Sequence, residues 1–135
     1  MSFARIYLMF IAAMSLVFGA IYFISPAVMT DPTGFGLLAP AAVTDVRATY
    51  GGFQLGSGLF LLWSAAQPQR IRPALLLVAL TFAGVLVCRG IGMLIDGSAT
   101  SFLVNALITE AVLTALALVA LARTPAPARA GARPA

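Results

Sequence analysis

Six polar side chains fall inside apolar stretches of this sequence, where an ionisable or amide group is costly and normally faces other protein groups. They are Arg47, Tyr50, Gln54, Arg89, Asn105 and Glu110. The first three are spaced by three and four residues, so a helix would place them on one face. An arginine and a carboxylate of this set can form an ion pair, and a second guanidinium can then bind an anionic or carbonyl-bearing group. The pattern indicates a polar site enclosed by helices.

The composition indicates that lipid surrounds most of the chain. Hydrophobic residues make up 61% of the 135 residues and charged residues 9%, whereas about a quarter of the residues in soluble proteins are charged. A bilayer core is crossed by about 20 apolar residues in a helix. Four such stretches are separated by Pro, Gly, Ser and Asp residues, at 4–24, 45–66, 71–95 and 101–122. The sequence predicts an all-α integral membrane four-helix bundle within residues 1–122 and a disordered cytoplasmic tail at 123–135.

The basic residues predict the orientation of this bundle. Six arginines at or beyond the ends of the predicted helices all fall on one side of a four-span arrangement: Arg5, Arg70, Arg72, Arg123, Arg129 and Arg133. Residues 25–44 and 97–100, on the other side, contain no Arg or Lys. Because cytoplasmic segments of membrane proteins are enriched in these residues, we expect both chain ends in the cytoplasm, N-in and C-in.

The depth of the polar residues predicts which of them meet. Gln54 and Glu110 lie about 13 Å from the outer ends of their predicted helices, and Arg89 lies about 9 Å from its own. Side chains lean toward the N-terminus of their helix, so Arg89 leans inward and Glu110 outward, toward a common level. An ion pair between them is expected. Two roles are compatible with the pair, and the sequence does not separate them. One role is structural, in which the pair fixes how the helices pack and align. The other is part of a binding site, because Arg47 and Arg89 face only one buried carboxylate and one guanidinium is then available for a ligand.

The first outer loop, residues 25–44, is long enough to indicate a functional lid. Residues 31–34, Asp-Pro-Thr-Gly, predict a turn. The next four residues, Phe-Gly-Leu-Leu, are too apolar to extend into water. We expect the loop to lie in the interface or over the mouth of the bundle. The G-x-x-x-G of Gly52 and Gly56, together with Gly19 in the first helix, predicts that the helices pack closely.

The polar motifs resemble those of a known family. Arg47-Ala-Thr-Tyr-Gly-Gly, Arg89-Gly-x-Gly, Asp96-Gly97 and Glu110 in the last helix are similar to the characteristic positions of the bacterial family called domain of unknown function 4345. The resemblance extends over nearly everything but the tail. It implies a four-helix fold in which the polar residues form one site, and a bacterial membership implies the inner membrane with a multi-pass topology. It implies no activity.

Several functions are compatible with these observations. The first is a binding protein or accessory subunit whose outer-half pocket holds a small amphipathic molecule or a lipid headgroup. The pocket would be lined by Arg47, Tyr50, Gln54, Arg89 and Glu110. The second is an enzyme on a lipid-soluble substrate, with Glu110 as the acid or base. The third is a transporter or channel subunit, although the predicted inner half has few polar residues, and the last is a scaffold without a ligand.

Other partners and cofactors are constrained by composition. One cysteine, Cys88, excludes an internal disulfide, and the absence of histidine removes the usual zinc and haem ligands, so neither a metal nor another cofactor is expected. The arginines are scattered rather than clustered, which argues against nucleic-acid binding. The expected partners are membrane lipid, a small amphipathic ligand, and either a second copy of the chain or another membrane protein.

Overall fold

The computed structural model describes residues 2–125, and these residues form helices, turns and loops with no strand. The all-α prediction is therefore confirmed for this part of the chain. Most of the predicted tail, residues 126–135, lies outside the described residues. The α-helices are α1 (Phe3–Ile24), α2 (Pro26–Thr30), α3 (Pro40–Val46), α4 (Phe53–Ala65), α5 (Pro68–Asp96) and α6 (Ser101–Ala122).

Three helices, α1, α5 and α6, are long and apolar enough to cross a membrane. Their bounds agree with the predicted stretches 4–24, 71–95 and 101–122 to within one residue, except that α5 begins three residues earlier than expected. Pro68 occupies the first turn of α5, where its missing N–H leaves no helical hydrogen bond unmade. The predicted stretch 45–66 is also helical, but α3 and α4 are joined by a π-helical turn at Arg47–Gly52.

Local sequence explains where the long helices begin and end. The Ser2 and Thr100 hydroxyls accept hydrogen bonds from the backbone N–H groups of Arg5 and Leu103, at 3.4 and 3.3 Å, and so cap α1 and α6. Gly97 ends α5 in the left-handed conformation, with φ of 62°. The short connection from Gly97 to Thr100 makes α5 and α6 antiparallel neighbours.

The helices pack most extensively as two pairs, α1 with α4 and α5 with α6. We call the end of the bundle where α6 ends the tail end, and the opposite end, where α1 ends, the loop end. The Arg72 guanidinium donates to the Leu121 and Thr124 carbonyls at 3.0 and 2.5 Å and so ties the start of α5 to the end of α6. The two pairs meet in a core near the tail end, formed by Ala4, Tyr7, Leu8, Ile11, Ala12, Leu61, Ala65, Ile71, Ala74, Leu75, Val78, Ala79, Leu113, Ala117 and Ala120.

Basic residues collect at the tail end. Arg5 is in the first turn of α1, Arg70 and Arg72 are in the first turns of α5, and Arg123 follows α6. The Arg70 guanidinium carbon lies 3.3 Å from the centroid of the Trp63 ring, a cation–π contact between α5 and the end of α4. The two remaining arginines of the predicted group, Arg129 and Arg133, lie outside the described residues.

Glycines allow α1 and α4 to approach closely, but not the two that the G-x-x-x-G motif singled out. A Cβ added at Gly19 would lie 2.9 Å from the Leu55 backbone nitrogen. One added at Gly58 would lie 2.7 Å from the Leu16 side chain. Gly52 and Gly56 have nothing within 4 Å of an added Cβ and face away from the other described helices. Close packing was expected from the G-x-x-x-G motif and from Gly19, and the structure shows it at Gly19 and not at the motif.

Gly19→Ala is expected to destabilise the protein by about 1–3 kcal/mol, because the new methyl group overlaps the backbone of α4 and overpacking costs this much. Gly56→Ala is the matched control. Its methyl group meets open space, and the higher helix propensity of alanine should raise stability by up to about 1 kcal/mol. Loss of helical circular dichroism during denaturant titration in detergent micelles measures both effects. Equal stability of the two variants would contradict the close contact at Gly19.

Candidate functional site

The predicted ion pair between α5 and α6 is present. The Arg89 Nε donates to both carboxylate oxygens of Glu110 at 2.9 Å, and the Nη2 donates to Oε1 at 2.6 Å. Glu110 is 8% exposed and is the only buried charged residue within residues 2–125. A guanidinium that engages a carboxylate through two nitrogens fixes the orientation of both groups.

The α5–α6 hairpin positions this pair. Arg89 lies seven residues before the end of α5, and Glu110 lies nine residues after the start of α6. These separations place the two Cα atoms roughly 10 and 13 Å from the loop end. The side chains of antiparallel helices lean in opposite directions, which closes the remaining difference in height. The pair therefore follows from the sequence once the two helices are adjacent.

One edge of the Arg89 guanidinium is left for another group. Nε and Nη2 face Glu110, whereas Nη1 donates to no other residue among residues 2–125. The Arg89 side chain is 26% exposed, compared with 10% for that of Glu110. Both carboxylate oxygens are thus engaged, while Arg89 retains N–H groups that can bind an acceptor.

A cavity of about 490 Å³ lies at the loop end and reaches Arg89. Its volume is in the range of small-molecule sites. Aromatic and aliphatic side chains form most of its wall, and the polar groups are hydroxyls and the Arg89 guanidinium. The lining residues are Tyr22, Val28, Met29, Thr30, Pro32, Thr33, Phe35, Tyr50, Arg89 and Phe102.

The first outer loop forms one wall of this cavity, in agreement with its expected place over the mouth of the bundle. Helix α2 is followed by a 3-10 turn at Asp31–Thr33 and by Gly34, which has a φ of 73°. The Thr33 hydroxyl donates to the Thr30 carbonyl at 2.7 Å, and the Phe35 N–H donates to the same carbonyl at 3.3 Å. These local bonds fix the turn between Thr30 and Phe35, several of whose residues line the cavity.

Two tyrosines stack beside Arg89. The rings of Tyr22, in the last turns of α1, and Tyr50, in the π-helical turn, have centroids 5.4 Å apart and an interplanar angle of 24°. Both rings line the cavity. They supply an apolar surface with hydroxyl groups attached, which suits a ligand that is itself partly polar.

The structure brings three of the five predicted ligand-binding residues together. Tyr50 and Arg89 line the cavity. Glu110 does not line it but accepts hydrogen bonds from Arg89. Arg47 instead donates from Nε to the Phe23 carbonyl at 2.9 Å and lines a separate surface groove beside residues 37–44. Gln54 is half-buried next to α1, where a Cβ added at Gly19 would lie 3.1 Å from its own Cβ.

Arg47 and Tyr50 both face α1, as their spacing predicted. Arg47 donates to the Phe23 carbonyl, and Tyr50 stacks on Tyr22. Of the two, Tyr50 lines the cavity and Arg47 does not. Asn105, the sixth polar residue, is exposed on α6.

Several lining residues were not predicted, and Tyr22 is the most informative of them. It is three residues after Gly19, so the two lie on one face of α1. Because Gly19 contacts α4, Tyr22 also faces α4, and this spacing is the signal that could have placed it. Thr30, Thr33 and Phe102 had no such signal, because their positions depend on how the loop folds.

The N–H groups of Arg89 that Glu110 does not engage can donate to an oxygen acceptor. Within residues 2–125 no group of three or more His, Cys, Asp or Glu side chains is placed to hold a metal ion. Proton transfer by Glu110 would first require its pair with Arg89 to separate, because both carboxylate oxygens accept from the guanidinium. The free edge of Arg89 and the neighbouring hydroxyls can bind an oxygen acceptor without any rearrangement.

The fold defines a small all-helical protein with three helices suited to a membrane. The chain belongs to the family described as Domain of unknown function (DUF4345), whose model matches residues 3–121. The match includes both members of the ion pair and every residue that lines the cavity. No curated protein and no solved structure matches the chain.

Proposed function

We propose that this chain is a multi-pass protein of the bacterial inner membrane that binds a small amphipathic molecule in the loop-end cavity. The polar part of the ligand carries an anionic or carbonyl oxygen that accepts hydrogen bonds from Arg89. The observation that carries this proposal is the divided use of the Arg89 guanidinium. One edge is held by Glu110, the other has no partner among residues 2–125, and the Arg89 side chain lines the cavity.

The proposed topology has four spans, with α3, the π-helical turn and α4 as the second. Helical structure is continuous from Pro40 to Ala65, a run long enough to cross a bilayer core of about 30 Å. The collection of arginines at the tail end supports a cytoplasmic position for that end. The cavity and its loop then face the periplasmic side.

Packing supports binding over transport. The core near the tail end is filled by side chains from α1, α4, α5 and α6. A conduction path from the cavity to the cytoplasmic side would have to cross this apolar cluster, which lacks the polar lining that ion or solute passage needs. The cavity therefore has the form of a site that opens toward the loop end.

Arg89→Lys is expected to lower the amount of small molecule that co-purifies with the protein at least about tenfold. Lysine can keep a charge contact with Glu110, but it lacks the planar, two-edged set of donors. The measurement is mass spectrometry of an organic extract of the purified protein, expressed as molecules per chain. Far-ultraviolet circular dichroism and gel filtration establish that the variant is folded.

Arg123→Ala is the matched control, because it also removes one arginine charge but at the exposed end of α6, far from the cavity. Its ligand content should equal that of the wild type. Retention of the molecule by folded Arg89→Lys at the wild-type level would overturn the proposed site. So would the absence of any small molecule enriched on the wild-type protein relative to the membrane extract.

A further inference from the structure

Arg89 lines a second recess, a groove on the side of α5. The groove has a volume of about 620 Å³ and is distinct from the cavity under the loop. Its other lining residues all belong to α5 as well: Leu80, Thr81, Gly84, Val85 and Cys88. Among the described residues that line these two spaces, Arg89 alone belongs to both. A molecule bound at Arg89 can therefore extend in two directions, under the loop and along the outside of α5.

The groove runs along the helix axis. Leu80 and Arg89 are nine residues apart, which corresponds to about 13 Å of helix. Thr81, Gly84 and Cys88 are spaced by three and four residues, so they lie on one face. A Cβ added at Gly84 would have nothing within 4 Å. The absence of a side chain at this position keeps the middle of the groove open.

The polarity of the lining changes along the groove, from apolar side chains at one end to Arg89 at the other. Leu80 and Val85 are apolar and exposed on the side of the bundle, whereas the Arg89 end holds a cation with unused N–H groups beside two tyrosine rings. In the proposed topology α5 runs outward, so the apolar part lies deeper in the bilayer than Arg89. This order, hydrocarbon below and an anion-binding group above, is the order of an amphiphile in the outer leaflet.

We infer that the ligand is a single-chain anionic amphiphile, with its head in the cavity and its alkyl chain in the groove on α5. The inference rests on the proposed function and specifies its ligand class. The head accepts hydrogen bonds from the Arg89 Nη1, and the negative charge complements a guanidinium that Glu110 orients. The lining from one helix gives the groove the width of a single helical face, which suits one chain rather than two. Such a ligand enters sideways from the lipid and never exposes its chain to water.

Gly84→Leu tests the chain site, because leucine would fill the groove without meeting any protein atom near its Cβ. Binding of radiolabelled dodecyl phosphate and butyl phosphate is measured in digitonin, a detergent without a linear alkyl chain. The wild type should bind dodecyl phosphate more tightly than butyl phosphate. Gly84→Leu should weaken dodecyl phosphate binding at least about tenfold, equivalent to about 1.4 kcal/mol of chain contacts, and leave butyl phosphate binding unchanged.

Gly56→Leu is the matched control, since it adds the same side chain at an equally open glycine on α4. It should bind both probes as the wild type does. Gly84→Ala fills less of the groove and should show an intermediate loss. Dodecyltrimethylammonium, with the same chain and the opposite charge, should not compete with dodecyl phosphate, and equal competition would overturn the anionic head.

The results separate the two proposals. If Gly84→Leu binds dodecyl phosphate as tightly as the wild type while Arg89→Lys does not, the chain site is overturned and the proposed cavity site stands. If folded Arg89→Lys binds both phosphates as the wild type does, the proposed function itself is overturned. A tenfold loss confined to dodecyl phosphate in Gly84→Leu supports the groove as the chain site.

Discussion

Glu110→Ala should destabilise the protein by about 3 kcal/mol, because it leaves the Arg89 guanidinium without its partner in an apolar surrounding. The value is at the low end of the range for breaking a buried pair, since 26% of the Arg89 side chain is exposed. Glu110 is the only buried charged residue within residues 2–125, so no neighbouring carboxylate on the described helices can replace it there. Denaturant titration in micelles, followed by circular dichroism, measures the change.

The double variant Arg89→Leu with Glu110→Leu distinguishes the cost of an unpaired charge from the value of the pair. Removing both charges together should restore stability to within about 1 kcal/mol of the wild type or raise it, because a buried pair often stabilises little relative to apolar residues. It should nevertheless abolish ligand binding. A double variant that is as unstable as Glu110→Ala would show that the pair itself stabilises the bundle, which would favour a structural role for it.

Leu8→Ala should destabilise the protein by about 2–4 kcal/mol, even where unfolding within a membrane would expose the side chain to lipid rather than to water. Leu8 is fully buried, with 0% exposure, in the core near the tail end. Transfer from lipid to the protein interior provides little free energy, because lipid chains are as apolar as leucine. The loss comes instead from van der Waals contacts around the cavity that the truncation leaves.

Leu94→Ala is the control for Leu8→Ala, because it makes the same truncation at a side chain that is 85% exposed on α5. With few protein contacts to lose, it should change stability by less than about 0.5 kcal/mol. Titrations of both variants under the same conditions give the comparison. Similar losses at the two positions would mean that the tail-end core is not the part of the bundle that holds the helix pairs together.

The long helices were predictable because hydrophobicity and helix punctuation act locally. The bounds of α1 and α6 follow from their capping residues, Ser2 and Thr100, and the end of α5 follows from Gly97. The interruption between α3 and α4 was not predictable in this way. A π-helical turn depends on how Arg47 and its neighbours contact α1. The hydropathy of the sequence contains no information about those contacts.

The candidate site was predictable where it depends on one pair of adjacent helices. Arg89 and Glu110 were expected to meet because a short connection makes α5 and α6 antiparallel, and they do meet. The cavity depends on more distant contacts, between the loop and α1, α5 and α6, and the positions of Thr30 and Phe102 follow only from those. Arg47, Tyr50 and Gln54 all contact α1, as their spacing predicted. Only Tyr50 lines the cavity, because the spacing predicts the shared face and not where along α1 the cavity lies.

The π-helical turn also determines how insertions and deletions would act on this protein. Such a turn holds one more residue than the α-helical turn it replaces. Deleting one residue within 47–52 would therefore produce an ordinary α-helical turn and leave α3 and α4 in nearly the same relative orientation. Deleting one residue from the regular part of α4 would instead rotate the two sides of the deletion relative to each other by about 100°. The π-helical turn is thus the place in this run of helix where the chain can lose a residue while α3 and α4 keep the same faces toward α1.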